Sequence, residues 1–539
     1  MRYGRSFLVC ALLASRAVCQ EIWDIWQTTW DESELLTYFQ PTPDPITFGS
    51  PGTIGAADIV VDDTQVYQTV WGFGASLTDS SALLLNNLKT QNPTNYWALL
   101  DYLFNATDGA NSAGFTYLRV PLGATDFSAS RKFYSFDDVS GDTSLTDFNI
   151  DNVPDYVFRT IYDIQSINSY LRVHVVPWSP PAWMKTTGTM DGGDLDTNYI
   201  STYANYLLKC LQGFQIKNIV PFAISIQNEP ENSDATYPSC YMPVSVEAQI
   251  GTALRTLMDD NGFSGVRLIG YEHNWNDAGG YPVQLMQQAE SAFAGVAFHC
   301  YAGDVQNQSD FYNAYPNKEI YFTECSGTIG SDWWSDIKVS NFDTIRFKLV
   351  LMFCQWYMDN LFITGITYHA QSGLMWNLAL NGSGLPKLPG TDSCGGAGCR
   401  GVAQVNSNGT WSVNQEFYAM GQASKAILPR DVNGPWGQRI GVSVGGELNW
   451  ALIVGAYVTG RVSPTDWLRY SLVVLNWADT SNGNWDPQPV QTTIEFRDMQ
   501  ATYTFPVGVT TLWWYAVNES SSAAPVDNAI HFDTRSVRP

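Results

Sequence analysis

The chain has 539 residues, 45% of them hydrophobic, enough for one large domain and a smaller companion with ample core. Its 52 acidic residues outnumber 28 basic ones, giving a net charge of −24 with no basic stripe to interrupt it. Such a surface repels nucleic acid and anionic membranes and suits an uncharged substrate, so neither nucleic acid nor a membrane is expected as a partner.

Residues 1–19 carry Arg2 and Arg5, an apolar run from Phe7 to Ala14, and small residues up to Ala17-Val18-Cys19. That is the pattern of a secretory signal peptide cut after Cys19, and it predicts a secreted protein. In the segment 20–65, the stretch from Ile46 onward is strand-like. From 66 to 428, strand-like runs at 69–76, 115–123, 172–179, 220–229, 267–275, 295–302, 319–326 and 363–372 alternate with helix-like stretches. The helical spans expected are Ser81–Phe104, Asp155–Leu171, Asn198–Phe214, Val244–Asn261 and Phe342–Leu361. Eight such alternations predict an α/β fold of the (β/α)8 TIM-barrel type, with a doubly wound sheet as the structural alternative. Residues 429–539 change character: Leu448–Val454, Tyr470–Trp477 and Thr511–Val517 are alternating or apolar runs joined by turn residues, and they predict an attached all-β sandwich. If residues 20–65 supply strands to it, the barrel is inserted into the sandwich. The longest apolar stretch, Leu349–Phe362, is broken by Gln355, Asp359 and Asn360, so no membrane span is expected. The protein is expected to be a monomer.

Nine cysteines include Cys10 and Cys19 in the leader. Cys394 and Cys399 are spaced for a small closed loop and are expected to form a disulfide. Cys210 with Cys240 is a plausible second bridge, while Cys300, Cys325 and Cys354 lie in apolar runs and read as buried thiols. Asn105, Asn307, Asn381, Asn408 and Asn518 stand in glycosylation sequons, in keeping with secretion.

Two glutamates close apolar strand-like runs: Glu229, after Phe222-Ala223-Ile224-Ser225-Ile226-Gln227-Asn228, and Glu324, after Ile320-Tyr321-Phe322-Thr323. A carboxylate there is costly unless chemistry needs it. In a parallel barrel every strand delivers its C-terminal end to the same face, so the two can meet across one cleft, and paired carboxylates in a cleft cleave glycosidic bonds. Asp126, Trp178, His299, Tyr301 and Trp376 crowd the same rim, the aromatic faces suiting sugar rings and the polar groups their hydroxyls. Arg119 reads as a buried partner for a rim carboxylate, and His273 and His369 as core or rim hydrogen-bonders. Gly441-Val442-Ser443-Val444-Gly445 fits the esterase elbow pattern, but a strand-like run follows it where the elbow demands a helix. With no His-Glu-x-x-His, no local Cys/His cluster and no phosphate loop, no metal and no cofactor is expected.

Taken together, Trp71-Gly72-Phe73-Gly74-Ala75 with Thr78-Asp79, Arg119 with Asp126-Phe127-Ser128, Trp178-Ser179-Pro180-Pro181-Ala182-Trp183-Met184-Lys185, Gln227-Asn228-Glu229-Pro230, Phe322-Thr323-Glu324 and Trp376-Asn377-Leu378-Ala379-Leu380 resemble glycoside hydrolase family 30. The resemblance runs from about residue 45 to 520. It implies a retaining hydrolase on a barrel with an attached β-sandwich, Glu229 as general acid/base and Glu324 as nucleophile. By the same resemblance Asp126, Trp178, Asn228 and Trp376 hold the sugar in the first subsite, His299 and Tyr301 lie beside the nucleophile, and Tyr237 lies near that carboxylate. Cys300 departs from the glucosylceramidases of the family, which have tryptophan there. Likeness to the fungal branch, in Cys399-Arg400-Gly401-Val402, Asn406 to Trp411 and Glu416 to Ala419, implies internal cleavage of β-1,6-linked glucan, a polysaccharide substrate. Xylanase, galactanase and exo-glucosidase activities fit the same family motifs. A non-catalytic wall-binding protein is the alternative from another class.

Overall fold

The computed structural model describes residues 20–129, 134–338, 357–391, 393–395, 397–481 and 483–518. Eight parallel strands make one sheet: β1 (Gly72–Ser76), β2 (Tyr117–Pro121), β3 (Arg172–Val176), β4 (Ala223–Ser225), β5 (Arg267–Asn274), β6 (Gly295–His299), β7 (Glu319–Glu324) and β8 (Ser372–Asn377). Each pairs with its sequence neighbour, and β8 pairs with β1. The ring closes between β7 and β8 through the Ile320–Ala370 bridge and the N–H groups of Gln371 and Trp376, which donate to Ile320 and Cys325 carbonyls. This is a TIM barrel. Its lower interior is filled by Tyr117, Ala223, Ile269, Ala297, Tyr321 and Leu374. At Gly74 a Cβ would lie 1.9 Å from the Tyr117 carbonyl oxygen, so only glycine lets β1 and β2 approach there.

Local chemistry punctuates the helices. Thr78 caps Asp79–Gln91 by accepting from the Ser81 N–H. Asn92 caps Pro93–Phe104, with Pro93 in the first turn, where a missing N–H costs nothing. The expected span Ser81–Phe104 is therefore two helices. The expected eighth strand at 363–372 is also corrected: Tyr357–Ile363 is π-helical, Thr364–Thr367 is α-helical, and the strand starts at Ser372. Phe362 and Ile366, one helical turn apart, are both buried, so an apolar run that mimics a strand packs as a helix. His369, at φ 75°, then lies in the turn that leads into β8. The fourth strand shrinks from 220–229 to Ala223–Ser225. The expected helix Phe342–Leu361 falls mostly outside the described residues, and residues 1–19 and Cys354 lie wholly outside them.

Besides small two- and three-stranded sheets, ten further strands join in one sheet. In order across it run Thr37–Phe39, Glu21–Thr29, Gly508–Ala516, Leu468–Asn476, Leu452–Thr459, Gly437–Gly445, Ala57–Thr69, Val490–Phe496 and Met499–Phe505. Ile46–Thr47 pairs with Glu21–Thr29 while Gly49 bridges Gln500, so one short segment ties both ends of the sheet together. The sheet thus folds over its own core of Ile22, Ile59, Leu472, Phe496, Leu512 and Trp514. Strands from before and after the barrel pair with one another within it, and the helix Gln415–Ile427 joins the two parts: Ser471 donates to the Ala426 carbonyl and Lys425 lies 4.0 Å over the Trp26 ring. Ser443 of the esterase-like pattern sits in mid-strand opposite Val60, far from elbow geometry. Among the described residues no helix is long and apolar enough to cross a membrane.

Cys394 pairs with Cys399. The other pairing departs from expectation: Cys300 and Cys325 are joined, and Cys210 and Cys240 are free and buried. The reason is barrel register. His299 and Glu324 are partners at the ends of β6 and β7, so the residues after them fall side by side, 5.4 Å apart at Cα, within disulfide reach. Non-reducing peptide mapping is expected to recover the 300–325 and 394–399 links intact, and Cys210 and Cys240 are expected to alkylate only after denaturation. Rapid native labelling of Cys300 would contradict this arrangement.

Candidate active site

Arg119, on β2, has no exposed surface, and it organises the C-terminal mouth of the barrel. Its Nη1 donates to Glu324 Oε2 at 2.5 Å, and Nη2 donates to Asn228 Oδ1 at 2.7 Å and Glu272 Oε2 at 3.0 Å. The Trp178 ring lies 4.8 Å from the guanidinium carbon, and Trp376 stacks on Trp178 at 4.8 Å, within 21° of parallel. Glu324 ends β7. Glu272 points inward from β5, where Tyr271 and Glu272 take positive φ and the register to β6 slips by one residue; such a bulge re-aims a side chain. Ser225 and Thr323 also donate to Glu272, at 2.6 and 2.8 Å.

Glu229 is not on β4 itself but four residues past it, at φ 47°, a conformation that costs a non-glycine residue about 1–3 kcal/mol and clusters at functional sites. Neighbouring strands fix it there: the Asn228 N–H donates to the Pro177 carbonyl, and the Glu229 N–H donates to that of Glu272. Its Oε1 lies 3.1 Å from His299 Nδ1, and its Oε2 accepts from Asn232 at 3.0 Å. Tyr237 accepts a second bond from Asn232 at 2.8 Å, and His299 Nε2 lies 3.3 Å from Glu272. Tyr301 donates to Glu324 Oε1 at 3.0 Å. Of the three residues expected beside Glu324, only Tyr301 bonds it; His299 and Tyr237 belong to the Glu229 side, because the left-handed step at 229 swings that carboxylate toward β6.

A hydrogen-bonded chain therefore links the two glutamates: Glu229, His299, Glu272, Arg119, Glu324. Burial alone raises Glu229, but the bond from His299 and the positive potential of His273 and His299 outweigh it and pull the carboxyl down. Burial depresses His299, yet the charge of Glu324 and the bonds to Glu229 and Glu272 lift it to about 9. The Glu229–His299 pair thus holds one proton, stored on the imidazole. Burial and the charge of Glu229 push Glu324 above the ordinary carboxylate range, against the pull of His299 and Arg119.

Asp126 lies at the far side of the tryptophan pair. Ser393 donates to its Oδ2, and its Oδ1 is buried without a hydrogen-bond partner among the described residues. Burial lifts this carboxyl to about 7, with the Ser393 bond opposing and the charges of Glu324 and Glu229 adding to the rise. The Leu388 N–H donates to the Asp126 carbonyl, so the loop closed by Cys394–Cys399 is clasped to this edge. Phe127, Trp178, Trp376 and Leu380 pack with Cys399, and Tyr237 flanks them. Glu272 and Ser393 escaped the sequence reading. Glu272 carried the same signal as Glu324, a carboxylate in the apolar run Leu268-Ile269-Gly270-Tyr271, whereas nothing local marks Ser393.

Residues 70–393 match the model of the glycosyl hydrolase family 30 TIM-barrel domain. An endo-1,6-beta-D-glucanase of Neurospora crassa is 32% identical over 394 residues, covering 70% of this chain and 74% of the relative. One of Aspergillus fumigatus is 30% identical over 408 residues, covering 71% and 75%. A solved endo-beta1,6-glucanase shares the fold with a TM-score of 0.72 over 92% of this chain and 99% of its own, at 24% identity. The chain belongs to glycosyl hydrolase family 30 and is a glycosyl hydrolase.

Removing the buried cation takes from Glu272 and Glu324 the guanidinium that bonds them both, leaving only imidazole charge beside them. Arg119→Gln is expected to lower the unfolding free energy by about 3–5 kcal/mol, read from denaturant unfolding beside wild type. A loss below about 1 kcal/mol would show that Arg119 does not carry this network.

Proposed function

We propose that this family 30 hydrolase is a secreted retaining endo-β-1,6-glucanase in which Glu229 is the general acid/base and Glu324 the nucleophile. The observation that carries the reading is the chain of hydrogen bonds joining the two carboxylates around one tryptophan-floored cleft. Its ends differ in kind: Glu324 is held by a permanent cation and a phenol, whereas Glu229 is paired with a group that supplies and takes back a proton.

In the first step a Glu324 oxygen bonds to the anomeric carbon as the glycosidic C–O bond breaks. Glu229 passes the proton to the leaving oxygen, and His299 replenishes it across 3.1 Å. In the second step water attacks the same carbon, Glu324 leaves as carboxylate, and the water's proton returns to the Glu229–His299 pair. This route needs the two carboxyl groups about 5–5.5 Å apart. Asn228 Oδ1 is taken by Arg119, so its amide is turned with Nδ2 free to donate to the sugar 2-hydroxyl, a contact that strengthens as the ring flattens. The unpartnered Asp126 Oδ1 receives another hydroxyl, and the two tryptophans seat the ring face.

The 30–32% identity to fungal proteins named endo-1,6-beta-D-glucanases supports the linkage. The leader-like residues 1–19 and the acidic surface support secretion. Incubation with linear β-1,6-glucan is expected to release a ladder of gentio-oligosaccharides, and xylan is expected to stay intact; xylan cleavage alone would overturn the assignment. Glu229→Gln is expected to cost ~10²–10⁴-fold in kcat on that glucan, and Glu324→Gln is expected to abolish turnover. Full activity in either variant would rule out the roles given.

The pH profile follows from the same groups. Attack requires ionised Glu324, so activity falls as pH drops through its raised pKa. Leaving-group protonation requires the proton of the Glu229–His299 pair, so activity falls as pH rises toward about 9. His299→Gln removes the positive partner of both carboxylates. Glu324 then titrates higher and Glu229, holding its own proton, loses it below pH 9, so the bell in kcat/KM is expected to narrow from both sides. A profile of unchanged width would show that His299 does not govern the proton.

A further inference from the structure

His273 carries no proton in the steps above, yet its Nδ1 is buried, makes no hydrogen bond among the described residues, and faces Glu229 Oε1 at 3.8 Å. His299 Nδ1 faces the same oxygen at 3.1 Å, and the ligand atoms of Glu229, His273 and His299 all lie within 4.8 Å of one another. We propose that Glu229, His273 and His299 form a binding site for a zinc-class divalent ion, which inhibits the enzyme by occupying the oxygen that handles the proton.

Three kinds of observation converge. The first is the donor set: two imidazoles and a carboxylate are a three-ligand set that leaves the fourth position open, here toward the cleft. At zinc–ligand lengths of about 2.0–2.2 Å, tetrahedral ligand atoms sit roughly 3.3 Å apart, so distances of 3.1 and 3.8 Å need only small movements to close on an ion. The second is the outer layer. An imidazole that binds metal gives its other nitrogen to a carboxylate, which fixes the ring. His299 has that partner, Glu272 at 3.3 Å from its Nε2, and Glu231 stands 4.0 Å from His273 Nε2, beyond hydrogen-bond reach but close enough to add negative charge. The third is charge. Glu229, Glu231, Glu272 and Glu324 gather here against the Arg119 guanidinium and the His299 proton, which an incoming ion displaces, and the excess of negative charge favours a cation. Softer imidazole nitrogens select zinc, copper or nickel over calcium and magnesium, which prefer all-oxygen cages.

Only the inhibition rests on the role proposed for Glu229; the binding does not, so the test reads binding directly. Full-length Glu324→Gln, with all three ligands intact, is titrated with zinc chloride by calorimetry and with cobalt chloride by visible absorption. One ion per chain is expected, with the d–d bands of a low-coordinate cobalt. His273→Asn in the same background is expected to weaken binding about tenfold or more and erase the bands. In wild type, zinc is expected to inhibit glucan hydrolysis reversibly, relieved by a chelator. Absence of a stoichiometric site, or equal binding in His273→Asn, would overturn the proposal. Binding without inhibition would leave the ion site standing and remove its link to the proton-handling oxygen.

Discussion

One buried guanidinium sets the terms for the mouth of this barrel. Arg119 has no water to solvate it, so its charge must be met by protein groups, and three strands supply them: Glu272 from β5, Glu324 from β7 and Asn228 from the extension of β4. The demand runs both ways, since neither Glu272 nor Glu324 tolerates burial without a cation. A planar fork with fixed donor directions turns this mutual need into geometry. It places one carboxylate oxygen of Glu324, turns the amide of Asn228, and through Glu272 steadies His299. The stacked pair Trp178 and Trp376 lies against the face of that fork, so the apolar floor and the polar wall are registered to one group.

The barrel was legible because its strands are apolar runs spaced by amphipathic stretches, and period alone identifies those. It failed where period misleads. Ile363-Thr364-Gly365-Ile366, the start of the expected strand at 363–372, has strand-like composition but is helical, with Ile363 and Ile366 buried. The helix over Ser81–Phe104 was read as continuous because its apolar pattern survives a break that Asn92 and Pro93 impose locally. The two glutamates were visible as carboxylates at strand ends. Arg119 and Tyr301, read from the sequence as partners of a rim carboxylate, bond Glu324, but the pairing of His299 with Glu229 was not legible, since it follows a left-handed turn at that residue that no residue type announces in a glutamate.

The cysteines and histidines teach the same lesson about distance. Nothing local distinguishes Cys210 with Cys240, 30 positions apart, from Cys300 with Cys325, 25 apart; the second pair meets because parallel strands lie in register. The set of Glu229, His273 and His299 likewise comes from three adjacent strands, so a search for close spacing along the chain finds nothing there. Ring closure creates neighbours that the linear order hides, and in this fold those neighbours are concentrated at one rim.

The folded-over sheet takes strands from both sides of the barrel and pairs them with each other: Ala57–Thr69 runs beside Gly437–Gly445, and Glu21–Thr29 beside Gly508–Ala516. The catalytic ring is thus a loop grown out of another domain, anchored where it leaves and where it returns. A protease that nicks one junction does not liberate it, because the other strand still grips. Domain loss by a single cleavage, the common fate of modules strung on a linker, is closed to this architecture.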